Sequence, residues 1–539
     1  MISTLCFVHE EERMPTNRRL IDRRNFLRGL VGAATTVAAS TILPTVALAS
    51  APAQVVSDNL RPQITSGIAT GDITAEQALI WSKTDRPAQL LVDLATNEQF
   101  RDARTIQGPI AQASSDYTAK LNLSDLQAGQ QYFYRVRFQD PKDARNVSEP
   151  QVGRFRSSPA DRRNISFVWS ADTAGQGWGI NPDLGGMKIY NTMAWFQPDF
   201  FIHSGDTIYA DNPIRAEVKL ANGTIWKNVT TEAKSKVAET LQEFRGNFAY
   251  NLLDNNVRYF NSITPMFGQW DDHEVVNNWW PGQILNDPRY AVKDVSLLAA
   301  RAKQAFLEYV PVRGTTINRT ISYGPLLDVF MLDMRSYRAP NGPNDQLART
   351  PGSDFLGRNQ IRWLKQALLA SDATWKVIAA DMPIGLVIFD NFVTRQGSEA
   401  VANNDPGEPR GRELEIVDLL RFIKYNEITN VVWLTADVHY TAAHYYDPNK
   451  AAFSDFNPFY EFVSGPLNSG TFGPNDLDKT FGPQVVFQKI PPTGQVNLPP
   501  SAGMQFFGQV QIDGQTGTLK VTLRDVAGSA LYTQVINPV

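Results

Sequence analysis

The chain has 539 residues, 42% of them hydrophobic and 20% charged, with a net charge of −4. These proportions describe an ordinary globular protein long enough for two domains, and they leave no overall basic field to hold nucleic acid. The sole cysteine, Cys6, excludes an intrachain disulfide and thiol or zinc–thiolate chemistry in the body of the protein, so the organising groups must be oxygen and imidazole.

Residues 1–49 read as an address. Arg23-Arg24 and Phe26-Leu27-Arg28 precede a mildly apolar stretch that ends with Ala47 and Ala49 at cleavage spacing. Between Leu30 and Leu48 the stretch is rich in Ala and Thr and contains Pro44, a poor composition for a spanning helix. It resembles a Tat signal, which predicts cleavage after Ala49 and passage through the Tat translocation machinery. A periplasmic or secreted protein with no transmembrane segment in its mature form would result.

Residues 58–157 form a predicted all-β domain. "QALIWSK", "AQLLVDLA", "DYTAKLNL" and "QYFYRVRF" are short alternating runs separated by turn residues, as in a sandwich. The stretch Leu126 to Val136 resembles the turn and late strand of a fibronectin-III/Ig-like module, with Tyr132 as the corner residue.

Over 162–530 the texture changes. The apolar runs "ISFVWS", "DFFIHS", "PMFGQW", "LLDVFML", "WKVIAA" and "NVVWLTA" alternate with helical periodicities at 297–310, 359–370 and 413–425. Strands buried on both faces with helices between them predict a layered α/β core. Residues 212–262 read as a largely helical insertion, 386–411 as a polar loop, and "FFGQVQIDGQTGTLKVTLRD" as a hairpin.

The chemistry concentrates where the strands end. "FVWS" leads to Asp172, "FFIHS" to Gly205-Asp206 and Tyr209, "MFGQW" to Asp271-Asp272-His273-Glu274, and "VVWLTA" to Asp437 and His439. One Asp after a strand is most often a turn or cap residue. Four strands that each deliver a hard ligand at the C-terminal end, with two of the chain's five histidines, point instead to a site on that edge of the sheet. Oxygen ligands with imidazole suit Fe, Mn, Mg or Ca. A carboxylate bridging two cations fits the spacing best, and Asp206, in the turn that Gly205 permits, is the candidate.

At "SGDTIYAD", "WDDHEVVNNW", "LDMRSYR", "LGRNQIRWLKQAL" and "ADVHY" the chain resembles the PhoD-like alkaline phosphatases. These are exported members of the calcineurin-like metallophosphoesterase superfamily, related to purple acid phosphatases. The resemblance implies a four-layer α/β/β/α sandwich and hydrolysis of small-molecule or polymer phosphate esters through a metal-bound hydroxide, without a phosphoenzyme. It implies a binuclear or multinuclear centre of Fe(III) with a second divalent ion, Ca by resemblance. The implied metal ligands are Asp172, Asp206, Tyr209, Asp272, Asp437 and His439, with His273 acting on the leaving oxygen and Arg335 on the phosphate oxygens. One departure is Asp172, which stands where the best-characterised PhoD type has Cys. It resembles the first ligand of purple acid phosphatases and leaves Mn, Fe or Zn open as the second ion.

Several residues carry weaker signals. His203 reads as a core or supporting histidine, Glu274 as a supporting carboxylate, and Ser204 as structural. Asp381 is a candidate for the second metal's sphere, Asn277 and Asn278 for a metal or phosphate contact or a cap, His444 for the lining or the surface, and Trp178, Trp279 and Trp280 for the pocket wall or plain packing. Two other functions stay open: a phosphodiesterase or phospholipase D-like enzyme acting on lipid or cell-wall polymer diesters, and a non-catalytic surface binding protein on a degenerate scaffold.

Overall fold

The computed structural model describes residues 60–539; the Tat-like segment and Cys6 lie outside the described residues. Two large sheets carry the fold. The first has nine strands in the order Ala530–Ile536, Leu519–Asp525, Phe506–Ile512, Ile165–Ser170, Phe200–Ser204, Met266–Gln269, Ile64–Gly71, Ala78–Thr84 and Thr118–Leu123. The second has seven: Arg319–Ser322, Leu327–Met331, Trp375–Ala379, Val431–Thr435, Phe459–Val463, Thr441–Tyr446 and Pro483–Lys489. All six apolar runs read from the sequence are strands. Their central members pair in parallel, with Ser170 opposite His203 and Ser204 opposite Gln269, so their C-terminal ends finish level.

Packing follows from the continuous apolar character of these strands. One core cluster joins Phe167, Trp169, Phe200, Ile202 and Phe267 of the first sheet to Val329, Val377, Val432, Leu434 and Phe462 of the second. Another gathers Val168 and Phe201 with the helices Lys188–Trp195, Asn255–Ile263 and Val295–Tyr309. A third gathers Phe330, Ile378 and Trp433 with the helices Gly357–Leu369 and Glu413–Tyr425. Each fully buried Phe or Ile contributes about 1.5–3 kcal/mol, which fixes which face of every strand points where.

Buried polar side chains tie the two sheets together at their site-bearing ends. Trp169 Nε1 donates to the Thr435 carbonyl at 3.2 Å, and Gln269 Nε2 donates to the carbonyls of Leu332 and Ala379, both at 2.8 Å. These are the strand ends that carry the candidate ligands.

Two expectations change, and the strands of the predicted β domain adjoin the first large sheet through one bridge, Gly71 opposite Met266. Ile64–Gly71 pairs in parallel with Met266–Gln269, so it and two neighbours extend the first large sheet. Only Arg104–Ala111, Ala88–Ala95, Gln131–Gln139 and Gln151–Arg156 form a separate four-stranded sheet. The described residues belong to one compact unit. The 212–262 insertion contains the hairpin Glu217–Lys219/Ile225–Lys227 as well as helices, and the polar loop 386–411 contains the hairpin Phe389–Asn391/Gln396–Ser398. The C-terminal hairpin is as read, with a third strand, Ala530–Ile536, added at its edge. Tyr132 does close a corner: its hydroxyl accepts from the Gln127 N–H at 2.8 Å.

Candidate metal centre

Four turns supply the site, and three of them carry the same backbone strain. Asp172, Asp206, Asp437 and His439 all lie at positive φ, between 50° and 69°. This region is disfavoured for side chains with a Cβ and is retained mainly where the surroundings over-determine it. Gly205, at φ 102°, has its missing Cβ aimed 2.5 Å from the Cβ of Asp271, so only glycine lets the two turns approach. Glu274, fully buried, fastens the pair by accepting from the N–H groups of Asp206, Thr207 and Asp271 at 3.1, 2.6 and 2.8 Å.

The predicted ligands converge. Asp172, Asp206 and His439 offer ligand atoms within 4.8 Å of one another, as do Asp206, Asp272 and His273, and then Asp271, Asp272 and Asp437. The first two groups share Asp206 and the last two share Asp272. The Tyr209 hydroxyl joins the first group, 3.0 Å from His439 Nε2 and 3.4 Å from Asp172 Oδ1. Its ring fits because residue 175 is Gly: a Cβ there would lie 2.5 Å from the ring atoms.

Each imidazole is oriented by its far nitrogen. His439 Nδ1 faces the Gly470 carbonyl at 2.5 Å and Ser469 Oγ at 3.0 Å, so its proton belongs there and Nε2 presents a lone pair to Asp172 and Tyr209. Burial lowers its pKa to about 4, which keeps it neutral. His273 Nδ1 meets Asp211 Oδ1 at 2.7 Å while its ring stacks on Tyr209 at 4.2 Å. Burial opposes a charge on His273, but Asp211 and Asp272 outweigh it and hold the ring near pKa 9, hence protonated.

Acidic groups dominate this set. Asp172, Asp206 and Asp437 are pushed well above the usual carboxylate range by burial and by their acidic neighbours. Asp172 Oδ2 and Asp271 Oδ2, both buried, accept no hydrogen bond. Crowded carboxylates with a phenol and an imidazole fit a hard or borderline metal ion, which would relieve both conditions.

Arg335 departs from its expected role. Its guanidinium is fully buried and faces carboxylates, not an open phosphate position: Nε donates to Asp271 Oδ1 at 2.6 Å and Nη1 donates to Glu399. Asp381 lies beneath it, 3.5 Å from Nε. Among the weaker signals, His203 is a core residue with Nε2 3.1 Å from Thr173 Oγ1, and His444 pairs with Glu461 on the strand Thr441–Tyr446. The Asn278 N–H donates to Asp272 Oδ2 at 2.6 Å. Trp279 packs on Trp270, and Trp178 Nε1 donates to Asn497. Sequence reasoning gave Asp211 no role, although it ends the same "GDTIYAD" string. Glu399 had no signal at all, because it sits in the 386–411 segment.

The fold that carries these groups is similar to that of two solved structures. The structure of PhoD superposes with a TM-score of 0.65 at 21% identity, covering 88% of this chain and 89% of that one. A purple acid phosphatase from yellow lupin (Lupinus luteus) seeds superposes with a TM-score of 0.53 at 13% identity, covering 88% and 74%. Residues 167–523 match the profile of the PhoD-like phosphatases and 49–159 that of their N-terminal domain, so the chain belongs to the PhoD-like phosphatase family. Alkaline phosphatase D of Bacillus subtilis (strain 168) is 27% identical over 502 residues, which cover 87% of this chain and 79% of the relative.

Proposed function

We propose that the protein is an exported, metal-dependent phosphoesterase of the alkaline phosphatase D type. The observation that carries this reading is the convergence of Asp172, Asp206, Tyr209, Asp272, Asp437 and His439, from turns up to 267 positions apart, into overlapping groups that share Asp206 and Asp272. Family membership and the alkaline phosphatase relative support it. The three core clusters support reading the catalytic part, residues 162–530, as an α/β/β/α sandwich preceded by the β domain 58–157. Among the described residues no helix is long and apolar enough to cross a membrane. Export by the Tat route rests on the 1–49 segment.

Asp172, Tyr209 and His439 would hold one ion, Asp272 and Asp437 would hold the second, and Asp206 would bridge them. Phenolate suits Fe(III), and Ca, Mn, Fe or Zn would serve as the partner. Bound there, the ions supply Lewis acidity toward the phosphoryl oxygens and toward a water at neutral pH.

The chain's own residues then have distinct tasks. Asp211 keeps the proton on His273 Nδ1, which leaves Nε2–H free to protonate the ester oxygen as the P–O bond breaks. The imidazolium reforms by taking a proton from solvent. Glu274 holds the two ligand turns in register, and Arg335 compensates the carboxylates behind them. Water attacks in line and releases a proton to solvent, so configuration at phosphorus inverts and no phosphoenzyme forms. Turnover of p-nitrophenyl phosphate by the purified protein, lost on chelation and restored by metal, is the expected result. Activity that survives chelation contradicts the reading. A higher rate on bis-p-nitrophenyl phosphate would make it a diesterase.

A further inference from the structure

The hairpin Phe389–Asn391/Gln396–Ser398 carries a neighbouring pair of apolar side chains at its tip, Phe392 at 83% exposure and Val393 at 90%. Apolar residues scattered singly over a surface are ordinary, but an adjacent pair raised on a turn beside a candidate centre is not.

The root of this hairpin is fastened to both ends of that centre. On one side Asn278, whose N–H donates to Asp272 Oδ2 at 2.6 Å, donates through Nδ2 to the Asp390 carbonyl at 3.0 Å. Asn341 Nδ2 braces the same joint, donating to the Asn278 carbonyl and to Asp390 Oδ1, both at 2.9 Å. On the other side the Phe472 N–H donates to the His439 carbonyl at 3.3 Å, and the Phe472 ring lies 5.3 Å from the imidazole. The chain then runs along the hairpin root: Asn475 Nδ2 donates to the Val387 carbonyl at 3.1 Å, the Val387 N–H donates to the Asp476 carbonyl at 2.9 Å, and Arg395 pairs with Asp476 at 2.8 Å. Val438, between Asp437 and His439, shares an apolar cluster with Leu386, and Ile388 packs against that cluster. The root thus crosses from the Asp272 turn to the His439 turn before the tip leaves the body. Half-buried Phe472 and Ile388, followed by Phe392 and Val393, give a charged centre an apolar margin.

We infer that this hairpin sets substrate specificity: Phe392 and Val393 cover the apolar part of an ester whose phosphate sits at the centre, so the preferred substrates carry an extended alkyl or aryl group. The inference rests on the phosphoesterase reading. Neither side chain takes part in bond breaking. Each methylene that they remove from water raises kcat/KM by about fourfold at most.

The n-alkyl phosphates supply the test, because ethyl and hexyl phosphate have leaving groups of nearly equal basicity and differ in chain length. Phosphate release is measured with the full metal-loaded chain and with its Phe392→Ser/Val393→Ser double variant. The readout is the hexyl-to-ethyl ratio of kcat/KM, in which any general change at the centre cancels. Wild type is expected to favour hexyl phosphate by about 10–100-fold, mainly through KM, and the variant by less than about threefold. If the protein is a diesterase, the hexyl and ethyl diesters of p-nitrophenyl phosphate give the same ratio. A ratio near one in wild type, or equal ratios in the two proteins, would overturn the inference and leave the phosphoesterase reading standing. Sedimentation with phosphatidylcholine vesicles that the double variant loses while its ratio holds would make the tip a membrane contact, and would also overturn it. No turnover of any ester by wild type would overturn the phosphoesterase reading, and the inference with it.

Discussion

In the proposed mechanism His273 is the side chain on which leaving-group departure turns. Asp211 fixes its tautomer at 2.7 Å, and Tyr209 stacks on its face. His273→Ala should lower kcat by about two to four orders of magnitude, the range for loss of a positioned general acid. A kcat within a factor of a few of wild type would remove it from that role. Asp211→Asn keeps the shape but weakens the hold on Nδ1, so steady-state kinetics should show a fall of about 10–100-fold in kcat. The sequence exposed most of the candidate ligand set because each member follows a strand at a short distance. It misassigned Arg335, since a lone arginine after a strand reads the same whether its fork faces solvent or a ring of buried acids.

Elements place these residues, and their turns tolerate little change. Gly205→Ala would put a Cβ 2.5 Å from the Cβ of Asp271 at φ 102°. It should cost about 1–3 kcal/mol of stability and displace Asp206, read as a lower Tm together with reduced metal content. On the second sheet's helix, Glu413 is buried beside Asp478, and its carboxyl is raised from 4.5 to about 9 by burial first and by Asp478 second. Its folded pKa exceeds its unfolded value, so the native state binds this proton more tightly. The resulting stability is present below about pH 4.5 and is lost as pH rises through about 9. Glu413→Gln should therefore flatten the fall of Tm across that window and raise Tm at pH 8. Equal pH slopes in the two proteins would contradict this.

The central strands were legible because burial on both faces leaves continuous apolar runs such as "FFIHS". The short hairpins inside 212–262 and 386–411 were not, because three-residue strands of mixed polarity carry no period to read.

At the scale of the whole molecule, two sheets that diverge in sequence are made to finish at one edge. Trp169 and Gln269 reach across to backbone carbonyls of the second sheet and align the ends that carry Asp172, Asp206 and Asp272 with the end that carries Asp437. Such cross-sheet pairing has no local signature, and neither has the parallel pairing of Gly71 with Met266 that merges the N-terminal strands into the catalytic sheet. The merger also depends on Asp72, whose carboxylate accepts from the Arg313 main-chain N–H and from the guanidinium of Arg319, the first residue of the second sheet. Asp72→Ala would leave the Arg319 guanidinium and the Arg313 main-chain N–H without that carboxylate and should destabilise the whole chain by about 3–5 kcal/mol. Calorimetry should show a single transition moved to lower temperature, and a separate early transition of the β domain would contradict a shared sheet.

The most direct test of the account is anomalous diffraction at the iron edge and away from it, on crystals of untagged protein purified from its native compartment. Two peaks are expected: iron in coordination range of Asp172, Asp206, Tyr209 and His439, and a second ion between Asp206, Asp272 and Asp437. Density without a metal peak in contact with Asp206 would contradict the account.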